Sequence, residues 1–385
     1  MMKNKITKIT NIAIMITFLS ALFIPFSIWL LSEDKTISSI EKRTLAVLPK
    51  DISSINDFIK FPDNFNKYFS DHFGLREILT NEYFKVKNKI EADNVSSDVT
   101  MGKDGWMFLG RADKGYNKFD DPMGDVMNIN LYSGEELKKF AQSIATIEQW
   151  FKKRGILYIL VIAPNAHTIY FEKLPDYIKK YNNQSATDQL VSYVQKNTSV
   201  PIVDLRQPLL DAKQKQQLYF KTDTHWNSYG ANIAQYEIIK KINAVSSLSI
   251  DATLLQENEF DTSKNMPTGD LAGFAKIDNI TEIEPLPIFK NKCDTTSIPA
   301  TYKYNEEHTK ICKEKQQTAI IFRDSFFIAV EPYFDNYFGK ATYIWEKLNF
   351  KKINVLISKE KPDVVIEEWI ERTLPYVQDS SEFME

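Results

Sequence analysis

Two short stretches hold residue types able to do chemistry together. TDTHWN (222–227) sets Asp223 and His225 two residues apart, and RDSFF (323–327) puts Ser325 just past the apolar run TAIIF. A serine at a strand-to-helix junction exposes its hydroxyl, and backbone N–H groups at such a turn favour negative charge. Acyl transfer needs both an activated hydroxyl and a place for an oxyanion. In that reading Ser325 is the nucleophile, His225 takes its proton, and Asp223 orients the imidazole and stabilises its charged form. A two-residue spacing cannot use helical geometry, so the Asp–His pair belongs on a loop that turns the carboxylate back toward the ring. The plainer readings are a polar turn for the pair and a helix cap for the serine.

Other residues stand beside these. Trp226 either stacks on a ring of the substrate or packs inward. Glu368 and Arg372 follow a late apolar run, where they could face a cleft, bind a developing anion or form a structural ion pair. Asn165, Tyr170 and Tyr219 are candidate rim groups. His72 reads as fixing a helix end and His308 as a solvated loop residue. The two cysteines, Cys293 and Cys312, form either a disulfide or two buried thiols. No cluster of Cys and His is available for a thiolate zinc site, and the acyl chemistry read above needs no metal and no organic cofactor.

The elements that must position these groups alternate between strand and helix. Ser133 and Glu136 make a capping box. The helix they start carries Leu137, Phe140, Ile144, Ile147 and Phe151 on one face and stops at Arg154–Gly155. ILYILVIAP follows, a continuous apolar run suited to a strand buried on both faces. PIVDL (201–205), TAIIF (318–322), ATYIW (341–345) and DVVIEEW (363–369) are further short strands, and 228–245 is a helix. This predicts an α/β layer fold with a mostly parallel sheet, whose chemistry sits at the carboxyl ends of the strands. GKDGWMFLG (102–110) predicts a turn at Gly105 feeding a short strand. Residues 246–317 read as a loop-rich insertion. Residues 33–60 read as a tether, and the segment from Phe61 to about Leu79 as helical with a break near Gly74. The organisation is then 1–32 stub and apolar segment, 33–100 tether and helical segment, and 101–385 main domain.

With 385 residues, 43% hydrophobic and 13% aromatic, the chain is able to build a real core. A net charge of −3 spread along the sequence argues against nucleic acid as main partner. Lys3, Lys5 and Lys8 precede an apolar run from Ile12 to Leu31, long enough to span a bilayer. The basic flank predicts a signal-anchor with the rest of the chain outside the cytoplasm, on the periplasmic or extracellular face. A cleaved signal peptide is the alternative.

The chain resembles the alginate O-acetyltransferase group of SGNH-hydrolase-like proteins, the AlgJ and AlgX type with the related DHHW proteins. The D-x-H-W of TDTHWN followed by the D-S-F of RDSFF carries the resemblance. EKRTLAVLP (41–49), FSDHFGLRE (69–77), DGWMFLG, GDLAG (269–273) and KPDVVIEEWIERTL support it. It implies a circularly permuted, three-layer SGNH-like fold with a five-stranded sheet. TAIIF would be central and ATYIW on one side, with DVVIEEW, ILYILVIAP and PIVDL following on the other. It also implies transfer of acetyl groups to an exported, alginate-like polysaccharide, with Ser325, His225 and Asp223 in the roles above and an MBOAT-type membrane protein delivering the acetyl group. Ala166 stands where the family often has a Lys, so a cationic contact is either missing or supplied by His167, and Arg323 stands where a Gly is common. The same triad in an esterase or deacetylase would hand the acetyl to water, and a polysaccharide-binding assembly protein would not use it at all.

Overall fold

The computed structural model describes residues 2–32, 45–49, 55–76, 98–110, 121–290, 292–298, 307–374 and 380–384. The chain divides into two compact units, Met1–Ser96 with Gly273–Asp278, and Ser97–Ala272 with Asn279–Glu385.

In the first unit, α1 (Met2–Leu31) includes the window Ile14–Leu31, which is long and apolar enough to cross a membrane. Helix α2 (Ile55–His72) begins inside the segment expected to be tether. His72 Nδ1 lies 3.0 Å from the Tyr68 carbonyl oxygen, one turn back, so this histidine fixes the helix end. Leu75 follows at φ 65°, the predicted break near Gly74. Ile78, Leu79, Glu77 and much of 33–54 lie outside the described residues.

The second unit is built on one sheet. A small hairpin of β1 (Val99–Met101) and β2 (Met107–Leu109) precedes it, turning where Gly105 takes φ 79°. Helix α3 (Gly134–Lys152) starts at the capping box, with Ser133 N–H on Glu136 Oε2 (2.7 Å) and Glu136 N–H on Ser133 Oγ (3.2 Å). Then come β3 (Leu157–Ala163), α4 (Ala186–Asn197), β4 (Ile202–Asp204) and α5 (Ser228–Val245). Strands β5 (Phe260–Met266) and β6 (Glu282–Pro287) pair apart from the main sheet. The chain continues through β7 (Thr296–Ile298), β8 (His308–Ile311), β9 (Thr318–Phe322), β10 (Lys340–Ile344), α6 (Phe350–Glu360) and β11 (Val364–Ile370).

The main sheet runs β4-β3-β11-β9-β10-β8-β7. Its first five strands are parallel and stand in the expected order, with β9 between β11 and β10 and in the middle of the seven. The expected count of five is corrected to seven. β8 and β7 add antiparallel beyond β10, and both come from the stretch read as loops. Every position of β8 is half-buried, so it lacks the buried run that marks a central strand. A disulfide joins Cys293 to Cys312, Cα atoms 5.9 Å apart.

The sheet is covered on both faces. Along β11, Val364, Ile366 and Ile370 join one core with α5, while Val365 and Trp369 join the other with α3, α4 and α6. Side chains that alternate between two dry faces account for the unbroken apolar runs.

Candidate active site

The site forms where β9 ends. Asp324 caps the 3₁₀ turn Ser325–Ala329: its Oδ1 accepts from Phe326 N–H (2.8 Å) and its Oδ2 from Ile370 N–H on β11 (2.8 Å). The turn that presents Ser325 is therefore tied to the neighbouring strand. Phe326 N–H is committed to the cap, which leaves the Ser325 N–H as the turn's amide for an oxyanion.

The Asp–His loop reaches the same edge from the start of α5. Asn227 caps that helix through Oδ1, accepting from Tyr229 and Gly230 N–H, and its Nδ2 donates to the Gln217 carbonyl. Glu282 on β6 takes the N–H groups of Lys221 and Thr222 and the Thr222 hydroxyl. Asp223 Oδ1 accepts from its own loop at His225 N–H (3.0 Å), which folds the carboxylate back against the ring. The bonds of interest follow: Asp223 Oδ1 to His225 Nδ1 at 2.6 Å, and His225 Nε2 to Ser325 Oγ at 2.7 Å. The three side chains singled out a hundred residues apart are thus in one hydrogen-bonded line.

Electrostatics match the roles. Burial alone disfavours charge on His225, but the hydrogen bond and charge of Asp223, with the charges of Asp270 and Asp324, outweigh it and raise the imidazole pKa. Burial raises Asp223, and the His225 bond and charge and the N–H groups of Asp270 and His225 pull it below the usual carboxylate range. The pair is built to hold an imidazolium. Because only the neutral ring accepts a proton, activity belongs above the raised pKa and is lost as pH falls through it.

The structure settles some of the open readings and corrects others. Trp226 is 1% exposed and cannot stack on a sugar. Its Nε1 donates to the Phe326 carbonyl (2.9 Å), and its ring meets Phe326 edge-on, so it joins the histidine loop to the serine turn. Glu368 is fully buried beneath the turn, accepts weakly from Asp324 N–H (3.3 Å), and is held well above the usual carboxyl range by burial and then by Asp324. Tyr170 and Tyr219 are buried scaffold: the Tyr170 hydroxyl accepts from Leu218 N–H and the Tyr219 hydroxyl donates to the Pro164 carbonyl. Asn165 is buried and accepts from Arg372 Nη1 (2.9 Å), while the Arg372 guanidinium lies 5.9 Å from the Phe326 ring. Arg372 remains the half-buried cation near the turn. His167 cannot replace a lysine: burial drives its pKa down to about 3, so the ring is neutral. His308 is not a loop residue. It sits in β8, 3.0 Å from Glu331 and stacked on Tyr343.

Two residues escaped the sequence reading. Trp345 directly follows β10, which pairs with β9, and is 40% exposed with the Arg323 guanidinium 4.8 Å from its ring centre. Asp270 lies behind the triad, its Oδ2 3.9 Å from His225 Nδ1. Only the GDLAG resemblance could have pointed to it. Among the described residues, Asp223, His225 and Asp270 also bring one potential metal-ligand atom each within 4.8 Å of one another. In the observed arrangement these atoms bond to each other and to Thr224, which fits proton handling.

A Ser-His-Asp line at the carboxyl edge of a parallel, three-layer α/β sheet defines the class of serine acyl-transfer and ester-hydrolysing folds. Within it, this chain belongs to the family described as SGNH hydrolase-like domain, acetyltransferase AlgX, whose model matches residues 99–321. That match takes in Asp223 and His225 and ends four residues before Ser325. The chain is 25% identical over 224 residues to the probable alginate O-acetylase AlgJ of Pseudomonas syringae pv. tomato, covering 58% of this chain and 51% of that protein. It is 22% identical over 247 residues to its namesake in Pseudomonas aeruginosa, covering 63% and 57%. The chain thus spans about half the length of the curated relatives it matches. Among solved structures it is similar to the O-acetyltransferase domain of Pseudomonas putida AlgJ, with a TM-score of 0.48 and 18% identity over 74% of this chain and 94% of that one. Bacillus cereus PatB1 gives 0.48 and 17% over 73% and 97%.

Proposed function

We propose that this chain is an O-acetyltransferase that carries an acetyl group on Ser325 and passes it to hydroxyls of an exported polysaccharide. The observation that carries the reading is the 2.7 Å and 2.6 Å line from Ser325 through His225 to Asp223, in a chain whose family is described as an acetyltransferase. Ser325 Oγ attacks the acetyl carbonyl as His225 Nε2 takes its proton, and the oxyanion forms at the Ser325 N–H. His225 returns the proton to the departing donor group, leaving acetyl-Ser325. The acceptor hydroxyl then gives its proton to His225 and attacks the ester, and on collapse His225 returns the proton to Ser325 Oγ, leaving the acetyl on the sugar.

Relatives are named alginate O-acetylases, and an alginate-like polymer is the acceptor proposed here. Helix α1 serves as a membrane anchor that leaves the second unit outside the cytoplasm, and an MBOAT-type membrane protein supplies the acetyl group. Hydrolysis is the second reading. It is favoured by the 29% exposure of the His225 side chain, which lets water reach an acyl ester.

An acetyl-ester donor with and without an acceptor oligosaccharide separates the two. Transfer predicts a donor-derived acetyl group on Ser325 and acetylated sugar as product. Acetate release that ignores the sugar would overturn it in favour of hydrolysis. Trp345, 40% exposed with the Arg323 guanidinium over its ring, is the aromatic assigned to the acceptor sugar, a contact worth about 1 kcal/mol, so Trp345→Ala is expected to lower kcat/KM for the oligosaccharide roughly fivefold. Hydrolysis of a small acetyl ester by the same variant stays at the wild-type rate. Equal loss on both substrates would remove Trp345 from the acceptor site.

A further inference from the structure

We propose that Asp270 is a positioning residue that fixes His225 in its proton-accepting tautomer, acting through Asp223 and Thr224. This rests on reading Ser325 as the acyl carrier. Four hydrogen bonds join the segment 270–272 to the loop 222–224. Asp270 N–H donates to Asp223 Oδ2 (2.9 Å), and Ala272 N–H to the Thr222 carbonyl (3.1 Å). Asp270 Oδ1 accepts from Thr224 N–H (2.8 Å), and Oδ2 from the Thr224 hydroxyl (2.6 Å). The approach is close enough that a Cβ on Gly269 would lie 2.2 Å from the Thr222 carbonyl oxygen. Only glycine permits it.

The direction of these bonds matters more than their number. A hydroxyl has one proton. Thr224 gives it to Asp270, so a lone pair of Thr224 Oγ1 faces His225 Nδ1, 3.2 Å away. Asp223 Oδ1 faces the same nitrogen. Two acceptors at Nδ1 hold the ring proton there, and Nε2 is left with its lone pair toward Ser325. Meanwhile the Asp270 amide occupies Asp223 Oδ2 and sets the rotation of that carboxylate. Asp270 adds a second negative charge behind the ring. The other groups facing the site are Asp324 and Phe326 on the serine turn, Glu284 on β6 beside Asp223, and Arg372 over Phe326. None of these donates to or accepts from Thr224 among the described hydrogen bonds.

Asp270→Asn keeps the shape and removes the charge. Its amide can donate to Thr224 Oγ1, turning the hydroxyl proton toward the imidazole and weakening the hold on the Nδ1 proton. In residues 1–385 in detergent, the variant is expected to lower kcat for acetyl transfer about tenfold. The acid limb of kcat/KM moves to lower pH by roughly one unit, because a charge that favours the imidazolium is gone. The His225 titration midpoint, read by NMR of labelled histidine, moves down with it, and Asp270→Glu restores most of both. Thr224→Val cuts the relay without touching the charge: it lowers kcat and leaves the midpoint near wild type, and in combination with Asp270→Asn the losses fall short of their product. If the Asp270→Asn midpoint and acid limb coincide with wild type, or the two losses multiply in full, Asp270 is structural only. Should the wild-type protein never load acetyl on Ser325, the transferase reading falls, while the titration still decides the role of Asp270.

Discussion

Ser325→Ala is expected to abolish acetyl loading and to cut transfer by about 10⁴-fold or more. The magnitude follows from the loss of the covalent step, since no intermediate forms without the hydroxyl. The residual rate reflects donor and acceptor held together at the turn. Folding is expected to survive, because the hydrogen bond recorded for the side chain is the one to His225 (2.7 Å), and the turn is held by Asp324 and Trp226 instead. The variant should therefore melt within about 1 kcal/mol of wild type. Mass spectrometry of the donor-treated protein and acetyl content of the polymer in cells read the two sides of the prediction. Unchanged acetylation in cells, with the variant present at normal levels, would mean that the chain assists another enzyme rather than carrying the acetyl itself.

The sheet was legible because its central strands are buried on both faces, and LYILVIA or TAIIF can hardly be anything else. β7 and β8 were not. His308–Ile311 is half-buried throughout, with a histidine, a threonine and a lysine, and its partners are set by tertiary pairing to Lys340–Tyr343. The polar hairpin β5–β6 escaped for the same reason, yet Glu282 in it holds the loop before Asp223. The serine and the Asp–His pair could be singled out from residue type and position, because acyl chemistry restricts which side chains can serve, and the structure brings these three side chains together. Trp226 was harder: an aromatic beside His225 fits a sugar platform as well as a strut, and only its burial and the bond to Phe326 decide for the strut. Glu367 and Glu368 sit in an apolar strand and point to opposite faces. Glu367 meets the Tyr158 hydroxyl, 209 residues away (2.7 Å), a contact no local pattern reveals. Asp270 belongs with these, since its role lies wholly in distant partners.

Asp223→Asn is expected to lower kcat by about 10²–10⁴-fold, although it changes almost no volume. Asp223 faces three donors: its Oδ1 takes His225 N–H and Nδ1–H, and its Oδ2 takes Asp270 N–H. An asparagine has one acceptor oxygen and one donor group for these positions. With its oxygen toward the ring, its NH₂ meets the Asp270 amide, donor against donor. With its NH₂ toward the ring, Nδ1 must accept, the ring proton moves to Nε2, and His225 can no longer take the Ser325 proton. Either arrangement costs activity, and the second nearly abolishes it. The lowered pKa of Asp223, where the His225 bond and charge and the two backbone N–H groups overcome burial, expresses the same crowd of donors. Losing this charge also lowers the His225 pKa, because Asp223 supplies its largest favourable contributions. The small remaining activity should then persist to lower pH than in wild type. Nitrogen-15 spectra of the ring report which nitrogen carries the proton. A variant with wild-type kcat and an unshifted acid limb would show that Asp223 neither orients nor charges His225, and that the 2.6 Å contact is structural.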